Sequence, residues 1–468
     1  MGGFFGVASR EECVTDLFYG TDYHSHLGTM RGGMATAVKG QDGFDRYIHD
    51  IRTTQFRSKF EQDVDKMSGN YGVGVISDFD DQPLLIVSHL GMYSIVTVGR
   101  INNNKELAER AFKERGGHFA EVTDGEVNPT ELMASLINSK ENFVEGIRYA
   151  QSQIEGSCSL LILTKDGVYA ARDKFGRTPI IVGSKNGAWA ATMESCAFFN
   201  LEYKYEKDLA PGEIILMTEY GIENKYAGEK EMKICSFLWV YYGYPASTYE
   251  GRNVEELRNA CGAKLAQSEN IELDTICGIP DSGIGHGLGY AAKSGVPYRR
   301  TFVKYTPTWP RSFMPQNQNS RDLVARMKLI PIVELIKDRK LLFCEDSIVR
   351  GTQLKNTIKR IFGIGAKEVH MRAACPPLLY GCPYLNFSRS KSELDLIARR
   401  KINEMEGSEV EPPVEYLDPD SDKHREMCRR VAEHLGITSV KYQRLDDLIE
   451  AIGIGEEKLC TYCWNKKG

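Results

Sequence analysis

The run Leu341-Leu342-Phe343-Cys344-Glu345-Asp346-Ser347-Ile348-Val349-Arg350-Gly351-Thr352 constrains this chain more than any other stretch. An apolar segment ends in two adjacent carboxylates, a short Ser/Gly/Thr turn follows, and a helix-like stretch runs from Gln353 to Ile364. Strand, turn and helix in that order belong to an α/β sheet, where ligands meet the carboxyl ends of strands. The turn's backbone N–H groups, with the hydroxyls of Ser347 and Thr352, suit a phosphate at a helix N-terminus. Glu345 and Asp346 suit the two hydroxyls of a ribose. An acidic turn after a buried strand can also do no more than cap a helix.

The remaining sequence is consistent with a globular enzyme-sized chain. Its 468 residues suggest ~2–3 domains. Hydrophobic content is 42% and charged content 26%, as in ordinary globular proteins. The net charge of −5 comes without a basic block, so nucleic acid is not an expected partner. No apolar stretch is long enough to span a bilayer, and the first residues lack the charged and apolar regions of a secretion signal. The expected location is the cytoplasm. Twelve cysteines in a chain of this length do not suggest a disulfide scaffold; buried thiols or metal ligands are expected instead.

The pattern changes near residue 230. Before it, apolar runs are joined by hairpin signals: Asp166-Gly167, Asn186-Gly187 and Tyr220-Gly221. Helices are expected over Asp42 to Lys66 and Thr130 to Gln153. After it, strand-like and helix-like segments alternate: Asp274–Ile279, Gly285–Lys293, Arg299–Lys304, Lys340–Glu345, Leu354–Ile364 and Glu368–Ala373. That alternation predicts a parallel sheet covered by helices. Lys391 to Lys423 reads as a helix and then a surface loop.

The 341–352 run resembles the phosphoribosyl-pyrophosphate (PRPP) loop of type I phosphoribosyltransferases. With the two halves together, the chain resembles the glutamine PRPP amidotransferases (amidophosphoribosyltransferases) over nearly its whole length. Pro280-Asp281-Ser282-Gly283 matches the family's pyrophosphate-side turn. Arg311-Ser312-Phe313, Arg326-Met327-Lys328-Leu329 and Cys375-Pro376-Pro377 match further segments, and Glu345 stands where the family has Asp. In the first half, Arg172-Asp173 with Gly176 and Pro179, Met193-Glu194-Ser195 and Pro211-Gly212-Glu213 keep the family's frame.

The resemblance implies an N-terminal-nucleophile glutaminase-like αββα sandwich over residues 1–232. A type I phosphoribosyltransferase parallel-sheet domain would follow over residues 233–468, with a cysteine-bearing tail. It implies catalytic roles for Glu345 and Asp346, which would hold the ribose hydroxyls and Mg2+. Ser347, Arg350, Gly351 and Thr352 would hold the 5′-phosphate. Asp281, Ser282 and Gly283 would line the pyrophosphate side, Lys304 and Lys328 would neutralise charge, and Ser312 would touch the metal–pyrophosphate. PRPP and ammonia or another small amine are the implied substrates, purine nucleotides the implied regulators, and a homo-oligomer the implied assembly.

The first half departs from the family at its chemistry. Its nucleophilic cysteine position is Gly2 here. The arginine that would hold the substrate carboxylate is Ser77, the oxyanion-hole asparagine is Val98, and the acid that would hold the substrate amine is Pro129. Cys13 is followed by Val14-Thr15-Asp16 and not by the nucleophile's pattern. These losses imply an inactive glutaminase half and an ammonia-dependent transferase. The other reading is a non-catalytic paralogue that binds PRPP or a nucleotide and regulates an active enzyme.

One Cys-x-x-Cys, Cys460 and Cys463, is by itself half of a zinc site, a redox pair or neither. Some family members hold a four-iron four-sulfur cluster by four cysteines, and Cys235, Cys382, Cys460 and Cys463 stand in register with them. Four thiolates suit an iron–sulfur cluster or tetrahedral zinc; the resemblance implies the cluster, acting as a staple on the C-terminal tail.

Overall fold

In the computed structural model, described for residues 2–115, 119–120, 122–123, 125–267, 269–305, 329–385 and 393–468, two antiparallel sheets face each other. One has seven strands in the order Lys204–Asp208, Ile181–Lys185, Ala188–Thr192, Gly2–Ser9, Tyr71–Ser77, Arg31–Ala37, Asp45–Asp50. The other has six: Gly221–Tyr226, Ile214–Thr218, Gly167–Ala171, Gly156–Thr164, Gly91–Ile101, Leu84–Ser88. Alternation along the central strand divides its side chains between two cores. Phe4 and Ala8 point between the sheets to Val96, Leu161 and Leu163. Phe5 and Val7 point outward to Leu17, Phe18, Phe56 and Phe60 on covering helices. Leu132, Met133, Ile137 and Ile147 cover the outer face of the second sheet. This is the expected αββα sandwich.

The hairpins form where Asp166-Gly167, Asn186-Gly187 and Tyr220-Gly221 predict them. Two helix expectations change. Within Asp42 to Lys66 only Phe56–Val64 is helical, and Asp45–Asp50 is an edge strand paired with Arg31–Ala37. Its Tyr47 and Ile48 suit a strand once a neighbour is present to pair with. Thr130 to Gln153 is two helices, Pro129–Ile137 and Phe143–Gln153, because the Asn142 side chain accepts the Glu145 N–H at 2.9 Å and starts a new one.

The later part contains a four-stranded parallel sheet in the order Thr275–Gly278, Lys340–Glu345, Glu368–Ala373, Ser439–Tyr442. Phe302–Lys304 does not join it; it pairs antiparallel with Leu329–Pro331. Helix Ile397–Glu406 falls inside the expected Lys391 to Lys423 segment.

The two parts share one apolar cluster, which runs from Phe5 and Phe56 through Trp239 and Tyr249 to Trp464. Buried polar contacts cross the same boundary. Arg172 pairs with Glu250 at 2.7 Å. Glu194 accepts Tyr249 OH at 2.8 Å and also the Ser247 hydroxyl, and lies 3.0 Å from His26 Nε2. No helix among the described residues is long and apolar enough to cross a membrane.

Candidate functional site

Leu341, Leu342, Phe343 and Cys344 are fully buried, so the strand Lys340–Glu345 delivers its carboxyl end to a fixed place. The turn Pro280–Gly283 lies against that end. Gly283 permits the approach: a Cβ there would stand 2.3 Å from Cys344 O. Ile279 N–H donates to Cys344 O at 3.0 Å. Ser282 Oγ then reaches Asp346 Oδ2 at 2.5 Å, and Ser347 Oγ reaches Asp346 Oδ1 at 2.6 Å.

Both carboxyl groups are held in a poorly solvated place. Burial, the Asp346 charge and a hydrogen bond to Asp346 push the Glu345 pKa well up, and among the described residues Glu345 Oε2 has no hydrogen-bond partner. Asp346 is 5% exposed. Burial raises its pKa too, while the two serine hydroxyls and the Arg258 charge pull it back. An orphaned buried carboxyl oxygen beside a second carboxylate suits hydroxyl donors or a cation.

On the phosphate side, Gly351 takes a left-handed conformation (φ 74°) at the start of helix Thr352–Ile364. Arg350 Nη2 bonds Asp395 Oδ2 at 3.0 Å, and Arg400 Nη2 donates to Arg350 O at 3.1 Å. Lys304 Nζ meets Asp281 Oδ2 at 2.5 Å. Asp281, Ser282, Gly283, Lys304, Glu345, Asp346, Ser347, Arg350 and Gly351 thus surround one strand end. Ser312, Lys328 and the side chain of Thr352 lie outside the described residues.

Sequence reasoning missed Arg258. It lies on helix Val254–Gln267, is buried, and donates to the carbonyls of Trp239 at 3.0 Å and of Tyr241 and Gly243 at 2.9 Å. Its spacing carried a signal, since Val254, Arg258, Cys261 and Leu265 fall on one buried helical face.

The cysteines at four distant points of the chain also meet. Ile234–Cys235 pairs parallel with Leu459–Cys460, with Cys235 opposite Cys460. Ser236 Oγ donates to Cys460 O at 2.9 Å, and the N–H groups of Leu379 and Tyr380 donate to Cys463 O at 3.0 and 3.1 Å. A hydrogen bond from Cys463 lowers the Cys382 thiol to about 7, while that same bond, followed by burial, raises Cys463. Trp464 stacks on Phe237 at 5.3 Å and closes the group. Among the described residues no three His, Cys, Asp or Glu side chains are drawn tightly enough around one point to hold a single metal ion. All twelve cysteines are free thiols.

In the sandwich, Gly2 and Arg31 flank Ser77 on neighbouring strands. Arg31 is committed to Asp50 at 2.7 Å and Asp81 at 2.6 Å. Ser77 Oγ accepts the N–H groups of Phe79 and Asp80. Val98 faces Ser159 across the second sheet, and Pro129 opens a helix. Nearby, Thr97 and Thr130 hydroxyls bond at 2.6 Å, and Thr130 donates to Asp80 Oδ2 at 2.8 Å. Cys13 lies in the apolar core, where burial raises its thiol pKa well above the ordinary value.

Comparison with known proteins agrees with this geometry. Residues 71–199 match the glutamine amidotransferase domain family. An amidophosphoribosyltransferase of Methanocaldococcus jannaschii is 28% identical, over 99% of this chain and 96% of the relative. A chloroplastic amidophosphoribosyltransferase of Glycine max is 31% identical, over 82% of this chain and 70% of the relative. A solved glutamine PRPP amidotransferase from B. subtilis, complexed with ADP and GMP, shares the fold with a TM-score of 0.85 at 24% identity, covering 99% of this chain and 96% of that one.

Proposed function

This chain belongs to the amidophosphoribosyltransferase family, and we propose that it is a PRPP-dependent transferase of purine biosynthesis that uses ammonia or another small amine. The observation that carries the reading is the meeting of Ser282, Asp346 and Ser347 at one strand end, because it joins the pyrophosphate turn to the ribose-binding carboxylates. In this reading residues 1–232 form the glutaminase-like domain and 233–468 the transferase domain.

Ser347, Arg350, Gly351 and Thr352 hold the 5′-phosphate, and the N–H groups at the start of helix Thr352–Ile364 face it. Asp281, Ser282 and Gly283 take the pyrophosphate side, with Lys304 supplying positive charge as pyrophosphate leaves. The C1–O bond breaks, the ring becomes oxocarbenium-like, and the amine nitrogen forms the new C1–N bond before losing its proton to solvent. Glu345 and Asp346 hold the ribose hydroxyls, and the Asp346 charge opposes the ring's positive charge as it develops. Arg258 is a positioning residue for Asp346. Glu345 and Asp346 would hold magnesium carried on the substrate's phosphates, which would supply positive charge to the leaving pyrophosphate; Glu345 Oε2, without a partner among the described residues, fits such a cation. Purine nucleotides are proposed as regulators and a homo-oligomer as the assembly.

The glutaminase half is proposed to be inactive. What supports this is the combined state of Ser77, Val98 and Pro129 around the strand that bears Gly2. Cys235, Cys382, Cys460 and Cys463 fit a four-iron four-sulfur cluster, since the donor set is four buried or half-buried thiols with no imidazole or carboxylate. A bound cluster would tie the C-terminal tail to the strand at Cys235.

The test is pyrophosphate release from PRPP and magnesium with ammonium, with glutamine, and with no acceptor. Ammonium-dependent release supports the reading. PRPP binding without release under all three conditions would replace it with a regulatory paralogue.

A further inference from the structure

Arg177 lies in the sandwich, 3% exposed, next to the four thiols. Its backbone is pinned on both sides: its N–H donates to Asp173 Oδ2 at 3.1 Å, and its carbonyl accepts the Cys235 N–H at 3.1 Å. Its guanidinium carbon stands 3.3 Å from the centre of the Tyr384 ring, two residues past Cys382. Among the described residues Nε and Nη1 have no hydrogen-bond partner. A buried guanidinium is costly unless it is paired, and two of the donors here remain unfilled. Its carbonyl's bond to the Cys235 N–H and its stack on Tyr384 set it beside the segments that carry Cys235 and Cys382.

We propose that Arg177 is the counter-charge of the cluster site, so that the sandwich completes a centre whose four ligands all come from the transferase part. The inference rests on the iron–sulfur reading above. A four-thiolate iron–sulfur centre carries net negative charge, and adding an electron makes it more negative. A fixed cation outside the ligand set therefore favours the reduced state and raises the reduction potential. The stack on Tyr384 holds that cation at the ligand loop. Arg100 Nη1 and Asn102 Nδ2, also from the sandwich, bond the carbonyls of Cys382 at 2.8 Å and Pro383 at 2.6 Å and keep the loop in place.

The experiment compares the full-length wild type with Arg177→Met, Arg177→Lys and Tyr384→Leu after anaerobic reconstitution with iron and sulfide. The readouts are iron and sulfide content, visible absorption, midpoint potential and bleaching rate in air. Arg177→Met should shift the oxidised-to-reduced ratio at least tenfold toward oxidised, ~59 mV for one electron, and bleach several-fold faster. Arg177→Lys, which keeps the charge, should stay near the wild type, and Tyr384→Leu, which frees the guanidinium from the ligand loop, should shift the potential in the same direction as Arg177→Met but less. Arg177→Gln carries the same test if the methionine variant does not accumulate. An unchanged potential and bleaching rate in Arg177→Met, or an equal shift in Arg177→Lys, would overturn the role of Arg177 and leave the cluster standing. Wild-type protein that takes up no iron or sulfide would remove the cluster reading and this inference with it.

Discussion

Ser282 donates its hydroxyl hydrogen to Asp346 Oδ2 at 2.5 Å, and that bond joins two turns that are 64 residues apart in the chain. One turn opens helix Gly283–Ser294 and the other precedes helix Thr352–Ile364. Ser282, the residue before helix Gly283–Ser294, is thereby tied to the carboxylate that follows strand Lys340–Glu345.

Asp346→Asn should lower PRPP turnover roughly 10²-fold or more, as expected for loss of a charge aimed at a transition state. Folding should be little affected. Burial disfavours the Asp346 carboxylate, so a neutral amide of the same shape relieves desolvation while still accepting from Ser282. Pyrophosphate release and thermal melting, measured on the same preparations, check both halves of the statement. A variant with wild-type turnover would remove this loop from the substrate site.

Gly2→Cys should not create a glutaminase. The carboxylate anchor and the oxyanion donor are absent at Ser77 and Val98, and one lost donor of that kind costs ~10²–10³ in rate. The backbone is also closed to a side chain there, since a Cβ on Gly2 would lie 2.4 Å from Ile76 O. The variant should melt lower, by about 1–3 kcal/mol of overpacking. Glutamate release from glutamine is the measurement, and turnover in the range of working glutaminases would refute the inactive reading.

Protein purified without air should be brown, with iron and sulfide in equal amounts. Cys460→Ser or Cys463→Ser should release iron and loosen the C-terminal tail, seen as faster proteolysis after Ile452. Cys428→Ser should do neither, because Cys428 packs with Val431 and Leu435 in a separate core. Stoichiometric zinc without sulfide would keep the staple and discard the cluster.

Asp80 should make the sandwich less stable as pH rises through 6. Burial raises its pKa from 3.8 to about 6, against the pull of the Thr130 hydroxyl. Below pH 3.8 it is protonated in both folded and unfolded chains. Between 3.8 and about 6 the unfolded chain releases a proton that the folded chain keeps, so folding loses stability; above 6 the full cost remains. Asp80→Asn removes this term, and it should raise the melting temperature more at pH 7.5 than at pH 4.5, with a difference in stabilisation of ~2 kcal/mol. Equal shifts at both pH values would show that Asp80 is not buried as a proton-retaining acid.

By itself the sequence determined the local frame of this protein. The strand, turn and helix around Glu345–Thr352, the hairpins at Asp166-Gly167 and Asn186-Gly187, and the parallel strands Thr275–Gly278, Lys340–Glu345 and Glu368–Ala373 follow from short-range patterning, whereas Phe302–Lys304, expected in the same alternation, pairs antiparallel with Leu329–Pro331. In such stretches the residue spacing and the backbone preference agree. It also brought the described candidate residues, Asp281 to Gly283, Lys304 and Glu345 to Gly351, to strand ends and helix starts. Tertiary structure decided what depends on distant partners. Asp45–Asp50 is a strand only because Arg31–Ala37 lies beside it. Asp346 is held by Ser282, from another segment, and the Arg258 charge, from a third, pulls its pKa down. Arg177 was not singled out in the sequence, and its place beside Cys235 and Tyr384 exists only in the folded chain. Hydrogen bonds and charges act over a few ångströms of space, and that distance is written in the packing of the whole chain, not in the spacing of neighbours along it.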